Sequence, residues 1–419
     1  MFSLNPFLYF KKNNFIGQLC TCDVDNFGDI LYPVIFQKMA EQQGITSRIV
    51  PLSFFRGASP READFTISGI NEAIKSPTTS LSHLVIGGGD ILRTDVYTVA
   101  SHYYSNIEKI ARKRFWFWKK KPVFDRRRLE EKFVQKYMGY SPIAPFILNR
   151  ANHANVGSIV YCSCGVPFRF PPEKFHIIRE AFEAAAFVYV RDGQSRKKLE
   201  EAGVRRDIEV APDLIVTLSD FFDRDEERAK GLALLARCGA DTTKDIVCFQ
   251  SSPQPPEQAD ESLQQLTRLK EKTGVEIVLL PLGFCHGDDI FLRQLAQRSG
   301  GSLVYVDAHS IRDVISVIAA CELFIGTSMH GNITAFSFGI PHLFGPIAVD
   351  KAEGFLEVVG LGADFKLKSW SQLVAKQAMV ACLPQDYFLT RAAAAKRAVH
   401  ATFGKMAGIL KTSVLKSGR

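Results

Sequence analysis

Short apolar runs alternate with amphipathic stretches along most of this sequence. An apolar run at 15–23 precedes a stretch at 30–42 in which apolar residues recur at helical spacing, and this order returns repeatedly. A later unit consists of an apolar strand end at Leu323–Ile325, a polar turn and a short helix at 332–338. Strands that alternate with helices of this length indicate parallel sheets that helices cover on both faces. The pattern therefore predicts an α/β fold.

The alternation comes in two series, and a charged run at 220–230 between them suits a linker. With 419 residues the chain exceeds one ordinary hydrophobic core. We therefore predict two doubly wound, Rossmann-like domains that face a cleft, one spanning 1–225 and the other 240–384. The Ala-rich, basic tail at 385–419 has a helical pattern, and in such a protein it can cross back to the first domain.

Glycine-rich and polar turns follow several of the predicted strands. Ligands of doubly wound sheets bind at the carboxyl ends of the strands, so these turns are expected to meet in the cleft. The first N–H groups of the helix after such a turn, together with the helix dipole, favour an anion. In the turn Gly326–Gly331, only His330 can donate, accept and change charge near neutral pH. A structural histidine in a capped turn is the alternative.

Composition narrows the class of protein only modestly. The apolar share of 46% and the charged share of 23% are those of a soluble globular protein, and the net charge of +8 suits acidic partners. The nine cysteines show no CxxC pair and no zinc spacing, so we expect no metal. We interpret Cys20, Cys22, Cys162 and Cys164 as small buried residues in a reducing compartment, with a metal or redox role as the less favoured alternative. The first residues lack the charge order of a secretory signal, and no run approaches the ~20 apolar residues of a membrane span. A cytoplasmic location is expected.

One segment, 111–128, interrupts the alternation. It holds nine Lys or Arg residues against one Asp, interleaved with five aromatic residues. Such a charge run is most often a solvated surface. It also suits peripheral contact with an anionic membrane, or an acidic glycan or lipid diphosphate. No motif supports nucleic-acid binding.

Five motifs in order resemble the polysaccharide pyruvyl transferase family. They are Asn26-x-Gly28-Asp29, Gly87-Gly88-Gly89, Arg191-Asp192-x-x-Ser195, Pro212-Asp213, and His330-Gly331 with Gly339-x-Pro341. The resemblance implies a glycosyltransferase-B-like fold, with the acceptor on the N-terminal domain and the donor on the C-terminal one. It also implies transfer of pyruvate from phosphoenolpyruvate to sugar hydroxyls, usually as a cyclic ketal, in exopolysaccharide or cell-surface polysaccharide biosynthesis. No metal or other cofactor is normally required.

The resemblance carries over to residues that would bind the donor. Arg191 and Lys351 would be its basic ligands, with Ser328 and Gly331 beside them. Many family members have Arg at the position of Ser328, so Arg191, Lys351 or Arg93 would have to replace that charge. Arg191 could instead form a structural ion pair, and Lys351 could be a solvated loop lysine.

Catalysis needs a group that transfers protons, and we assign this role to His330 because histidine titrates near neutral pH. Asp29 is the second candidate, as a base or a ligand of the acceptor hydroxyl, unless it only stabilises the start of its helix. Asn26, Gly88 and Gly89 are assigned to acceptor binding, although a triple glycine also suits a tight strand–helix turn.

Acceptors in this family are often lipid-linked saccharides, which favours membrane contact for 111–128. One rival function is a nucleotide-sugar glycosyltransferase of the same architecture, for which Glu353 is a candidate ribose ligand but no basic pair is evident. Another is a non-catalytic glycan-binding relative. This alternative is suggested by Ser328, which stands where many family members have Arg. We interpret three further histidines as non-catalytic: His286, His309 and His342.

Overall fold

The computed structural model describes most of the chain. The described stretches are 15–54, 57–63, 65–75, 81–94, 144–149, 155–166, 168–346 and 351–412. Segment 111–128 lies outside them, so its contact with a membrane or an acidic glycan stays a prediction. Within these stretches, no helix has both the length and the apolar character needed to cross a bilayer.

The first domain is built on a largely parallel sheet of eight described strands. They are β1 (Phe15–Leu19), β2 (Ile49–Ser53), β3 (Gly57–Ala58), β4 (Thr66–Gly69), β5 (Leu81–Gly87), β6 (Val156–Cys164), β7 (Phe187–Val190) and β8 (Glu209–Val210). Their spatial order is β3-β4-β2-β1-β5-β6-β7-β8, and only the edge pair β3–β4 is antiparallel.

The second domain holds a smaller, wholly parallel sheet. Its strands are β9 (Ile246–Gln250), β10 (Glu276–Leu279), β11 (Val304–Tyr305), β12 (Leu323–Gly326) and β13 (His342–Phe344). Their order is β11-β10-β9-β12-β13. Every residue of β1 and of β9 is buried, as expected for central strands of a parallel sheet.

Helices connect the strands of both sheets. In the described part of the chain they are α1 (Phe27–Gln42), α2 (Ile70–Lys75), α3 (Phe175–Glu183), α4 (Gly193–Glu201), α5 (Arg224–Arg237), α6 (Pro256–Thr273), α7 (Asp288–Arg298), α8 (Ile311–Ala319), α9 (Met329–Ser337), α10 (Lys351–Val358), α11 (Leu373–Ala381) and α12 (Tyr387–Leu410).

The strand order locates the ligand-binding edge of each sheet. Chain progression reverses between β1 and β5 in the first sheet, and between β9 and β12 in the second. In doubly wound sheets the crevice outside such a reversal binds the ligand. The predicted α/β fold with two Rossmann-like domains is therefore confirmed, while the domain boundaries stay predictions.

The charged run 220–230 is not a linker. Its second half begins α5, which Asp223 caps by accepting a hydrogen bond from the N–H of Glu226 at 3.0 Å. Glu227 is buried and accepts from Lys230 at 2.9 Å and from Arg312 of α8 at 2.8 Å. The charges that suggested a solvated linker instead join α5 to α8 in the second domain.

The C-terminal helix α12 returns to the first domain. The ring of Phe403 packs edge-on against Phe36 of α1, with centroids 5.5 Å apart. Lys405 also forms an ion pair with Glu209 of β8 at 2.8 Å. Because α12 follows the second domain in the chain, these contacts join the two domains a second time.

We predict that Phe403→Ala lowers the free energy of unfolding by about 3–5 kcal/mol, because it removes a fully buried ring. Urea unfolding followed by circular dichroism measures the change. Leu389→Ala, on the half-exposed side of the same helix, is the control and should cost about 1 kcal/mol or less. Equal losses in the two variants would contradict the docking of α12 on α1.

Candidate active site

A cavity of about 230 Å³ lies where the reversal points of the two sheets face each other. Most of the predicted site residues line it. The first domain contributes Asn26, Asp29, Gly89 and Arg191, and the second contributes Ser328, His330 and Lys351. The rule that ligands bind at the carboxyl ends of strands therefore placed these residues together correctly, although their individual roles stay predictions.

The N-terminus of α9 forms one wall of the cavity. The pattern predicted this helix from 332, with His330 in the preceding turn, but the helix begins at Met329. Ser328 is the N-cap, and its hydroxyl accepts a hydrogen bond from the N–H of Gly331 at 3.2 Å. This cap starts the helix earlier than its apolar residues suggested. The positive end of the helix dipole and the first N–H groups therefore lie at the cavity.

His330 packs directly against the first domain. A Cβ atom built on Gly28 would overlap the imidazole, so the contact requires glycine at this position. His330 is only 9% exposed, yet it lines the cavity. The glycine of the Asn26-x-Gly28-Asp29 motif thus makes room for a side chain of the other domain.

A carboxylate of the first domain faces the same imidazole. Nε2 of His330 lies 3.7 Å from Oδ2 of Asp213, which is longer than an ordinary hydrogen bond. Burial tends to raise the pKa of Asp213, but attraction to His330 and Arg191 outweighs it and holds the pKa below its usual range. Asp213 is therefore held ionised beside the imidazole of His330.

Arg191 is surrounded by carboxylates. Its guanidinium is buried, contacts Asp90, and lies 3.8 Å from Asp192 and 3.7 Å from Asp213. Burial tends to lower the pKa of Arg191, but these three charges raise it above the usual value. A Cβ on Gly165 would lie 2.7 Å from the guanidinium carbon, so this packing also depends on a glycine. The structural ion pair is therefore present, and donor binding by Arg191 stays a prediction.

Asp29 lies in the first turn of α1, and both of its oxygens accept hydrogen bonds. Thr21 donates to Oδ1 at 2.5 Å, and the side-chain amide of Asn26 donates to Oδ2 at 2.7 Å. All three side chains line the cavity. These bonds order the loop between β1 and α1 at the acceptor side of the predicted site.

The same loop is hydrogen-bonded to the second domain. The N–H of Phe27 donates to the carbonyl of Leu282 at 2.9 Å, and the N–H of Cys285 donates to the carbonyl of Asp25 at 3.1 Å. The backbone on one side of the cavity is thus tied to the backbone on the other.

Two predicted glycines do not line the cavity. Gly88 has a φ of +88°, and a Cβ there would lie 2.7 Å from the ring of Tyr32. Gly331 is held similarly, since its Cβ would lie 2.5 Å from Phe324. Both glycines allow close packing behind the cavity wall, while Gly89 reaches the cavity itself.

Lys351 begins α10 and extends to the cavity. One turn later, Gly354 approaches Asp192, the N-cap of α4, so closely that an added Cβ would lie 3.0 Å from its carboxyl carbon. This contact between the domains positions the N-terminus of α10. The side chain of Arg93 lies outside the described part of the structure.

Sequence reasoning missed several polar residues that line the cavity. Gln250, His286 and Asp288 line it from the second domain, and His286 had been interpreted as non-catalytic. The position of Gln250 at the end of a central strand could have identified it. Glu353, the candidate ribose ligand, instead accepts a hydrogen bond from Lys366 at 2.5 Å and is not among the lining residues.

Solved structures define the class of fold. The chain is similar to a glycosyltransferase from Rickettsia africae ESF-5, with 10% identity and a TM-score of 0.52 over 97% of this chain and all of that one. It is also similar to Anabaena HepE in complex with UDP and glucose, with 14% identity and a TM-score of 0.51 over 96% of this chain and all of that one. At such identities the likeness shows the fold alone, which is that of the glycosyltransferase-B class.

The family follows from the sequence model. The model of the polysaccharide pyruvyl transferase family matches residues 26–344, and the chain belongs to this family. Comparison with curated proteins finds no match. The matched region includes the motif residues Gly28, Arg191, Asp213 and His330, which the fold brings together.

We predict that Gly28→Ala destabilises the protein by about 1–3 kcal/mol, because the added methyl group forces His330 away from the first domain. Gly193→Ala is a matched control, since a Cβ at Gly193 meets nothing within 4 Å. Urea unfolding of the two variants measures the difference. Similar stability of the two variants would contradict the contact between Gly28 and His330.

We predict that Asp213→Asn is less stable than the wild type near neutral pH, by an amount on the order of 3 kcal/mol, because a buried ion pair loses its carboxylate. The pKa of Asp213 is lowered by folding, so its stabilising effect is present above the unfolded pKa, about 4, and is lost as pH falls below it. The difference between the two proteins should therefore shrink in acid.

Chemical unfolding across this pH range measures that difference. The exposed Asp245→Asn is the control and should show little effect at any pH. A stability difference between Asp213→Asn and the wild type that stays constant into acid would contradict the ionised state of Asp213.

Proposed function

We propose that this protein transfers pyruvate from phosphoenolpyruvate to a pair of sugar hydroxyls and forms a cyclic ketal. Membership of the family supports a transferase that acts on polysaccharide. The observation that supports the chemistry most strongly is the position of His330. This histidine of the second domain lies in a cavity between the domains, in contact with Gly28 and paired with an ionised Asp213.

The reaction needs one proton donor and one proton acceptor. Protonation of the methylene carbon of phosphoenolpyruvate creates a cationic centre at the carbon that bears the phosphate. A sugar hydroxyl attacks this carbon and loses its proton, phosphate leaves, and a second hydroxyl closes the ketal. The two hydroxyl protons balance the proton added to carbon and the one that leaves with phosphate.

His330 is suited to move these protons. Histidine can hold a proton near neutral pH, and the carboxylate of Asp213, 3.7 Å from Nε2, can orient the ring, so we assign delivery of the proton to the methylene carbon to His330. The low exposure of the ring limits competition from bulk water. In this scheme Asp213 is a positioning residue, and Asp29 is a ligand of the acceptor hydroxyl whose carboxylate Thr21 and Asn26 hold in place.

Donor binding falls mainly to Lys351 and the N-terminus of α9. The charge of Arg191 is shared among three carboxylates, so it offers less to an incoming anion. Lys351 supplies a positive charge at the cavity, and the first N–H groups of α9 can donate to phosphate or carboxylate oxygens. Ser328 lies at the same helix end.

We predict that phosphoenolpyruvate raises the thermal midpoint of the wild type, because a ligand that binds only the folded state stabilises it. Lys351→Ala should lose this rise, while the exposed Lys368→Ala should keep it. His330→Gln should keep the rise but release phosphate about 10²–10⁴-fold more slowly in the presence of a saccharide acceptor.

A panel of nucleotide-sugars, including UDP-glucose, tests the rival function in the same assay. A rise in midpoint with a nucleotide-sugar alone would make the protein a glycosyltransferase and overturn the proposal. Phosphate release by His330→Gln at the wild-type rate would remove His330 from the proton-transfer role.

A further inference from the structure

A buried carboxyl group lines the cavity without a place in the proposed reaction. Asp288 is the first residue of α7 and follows Gly287, whose φ is +84°. Its side chain is buried, with the residue only 1% exposed, and it lines the same cavity as His330 and Lys351. A buried carboxyl group is costly unless it is neutral or well hydrogen-bonded, so its surroundings are informative.

The two oxygens of Asp288 have different environments. Oδ2 accepts hydrogen bonds from the N–H of Gly283 at 2.9 Å and from the side-chain amide of Gln250 at 2.8 Å. Oδ1 is buried and has no hydrogen-bond partner within the described structure. Oδ2 thus already accepts two hydrogen bonds. Oδ1 has none, so it can either carry a proton and donate a hydrogen bond or accept a hydrogen bond.

Gln250 connects this carboxyl group to the helix that carries His330. While its amide nitrogen donates to Asp288, its carbonyl oxygen accepts from the N–H of Ser328 at 2.7 Å. Ser328 is the N-cap of α9. The position of Oδ1 is therefore fixed relative to the helix N-terminus to which we assign donor binding.

Burial of the side chain acts against an ionised Asp288. Burial raises its pKa, although the hydrogen bonds from Gly283 and Gln250, the nearby hydroxyl of Ser252 and the charge of His286 oppose this effect. The other titratable groups around it are Cys285 on the preceding turn, Asp289 beside it, and His330, Lys351 and Asp29, which line the cavity. An ionised Asp288 would repel an anionic ligand in a cavity that Asp29 and Asp90 also line.

We propose that Asp288 binds phosphoenolpyruvate as a neutral acid, with the proton on Oδ1 donating a hydrogen bond to an anionic oxygen of the ligand. This inference rests on the proposed function, because it takes the donor to be an anion. It assigns to Asp288 a role in recognition. The neutral acid donates a hydrogen bond to a carboxylate or phosphate oxygen of the ligand, whereas an ionised Asp288 would repel that oxygen.

The first experiment uses the protein without ligand. Thermal midpoints of the wild type and Asp288→Asn are compared at about pH 5 and about pH 8, since a carboxyl group with a raised pKa costs stability as pH rises through that pKa. Asparagine has no such titration, so the midpoint of the variant relative to the wild type should rise between the two pH values. Asp289→Asn removes the same charge one residue away, and its difference from the wild type should not change.

The second experiment adds phosphoenolpyruvate to the same proteins. Asparagine can present an N–H group where the neutral acid presents O–H, so Asp288→Asn should bind at least as tightly as the wild type at about pH 8. Asp288→Ala removes the donor and should weaken binding about tenfold or more.

Two results would overturn the inference. If the thermal midpoint of Asp288→Asn differs from that of the wild type by the same amount at both pH values, Asp288 is ionised at both. A tenfold loss of phosphoenolpyruvate binding in Asp288→Asn would show that Oδ1 accepts a hydrogen bond rather than donating one. If the wild type does not bind phosphoenolpyruvate, the proposed function and the ligand part of this inference both fail, and the ligand-free comparison still decides the protonation of Asp288.

Discussion

The contact between His330 and Gly28 joins the two halves of the site. His330 belongs to the second domain, whereas Gly28, Asp213 and Arg191 belong to the first. The row of charges from Arg191 through Asp213 to His330 therefore exists only while the two sheets are held face to face. Because the ionised Asp213 lies beside Nε2 of His330 only in this arrangement, the chemistry that we assign to His330 depends on it.

Several family motifs can be understood as contacts between the domains. Gly28 makes room for His330, and Gly354 makes room for Asp192. The hydrogen bonds from Phe27 to Leu282 and from Cys285 to Asp25 hold backbone on both sides of the cavity in fixed register. Glycines at these positions let the two domains approach closely, and Asp29, next to Gly28, lines the cavity between them. The motifs thus specify an interface as well as a set of side chains.

Sequence reasoning was most successful where local pattern determines structure. Alternating apolar and amphipathic segments identified the two α/β domains, and the carboxyl ends of their strands indicated the cavity. Sequence reasoning failed where tertiary contacts determine the local structure. The side chain of Ser328 starts α9 early, Gly88 packs on Tyr32, and the significance of Asp288 lies in one buried oxygen without a partner. None of these contacts has a signature in residue spacing alone.

The most direct test of the central claim is a crystal structure of the protein with phosphoenolpyruvate. We expect the ligand in the cavity between the domains, with its phosphate or carboxylate at Lys351 and the N-terminus of α9 and its methylene carbon next to His330. Phosphoenolpyruvate bound outside this cavity, or within it but out of reach of His330, would contradict the account.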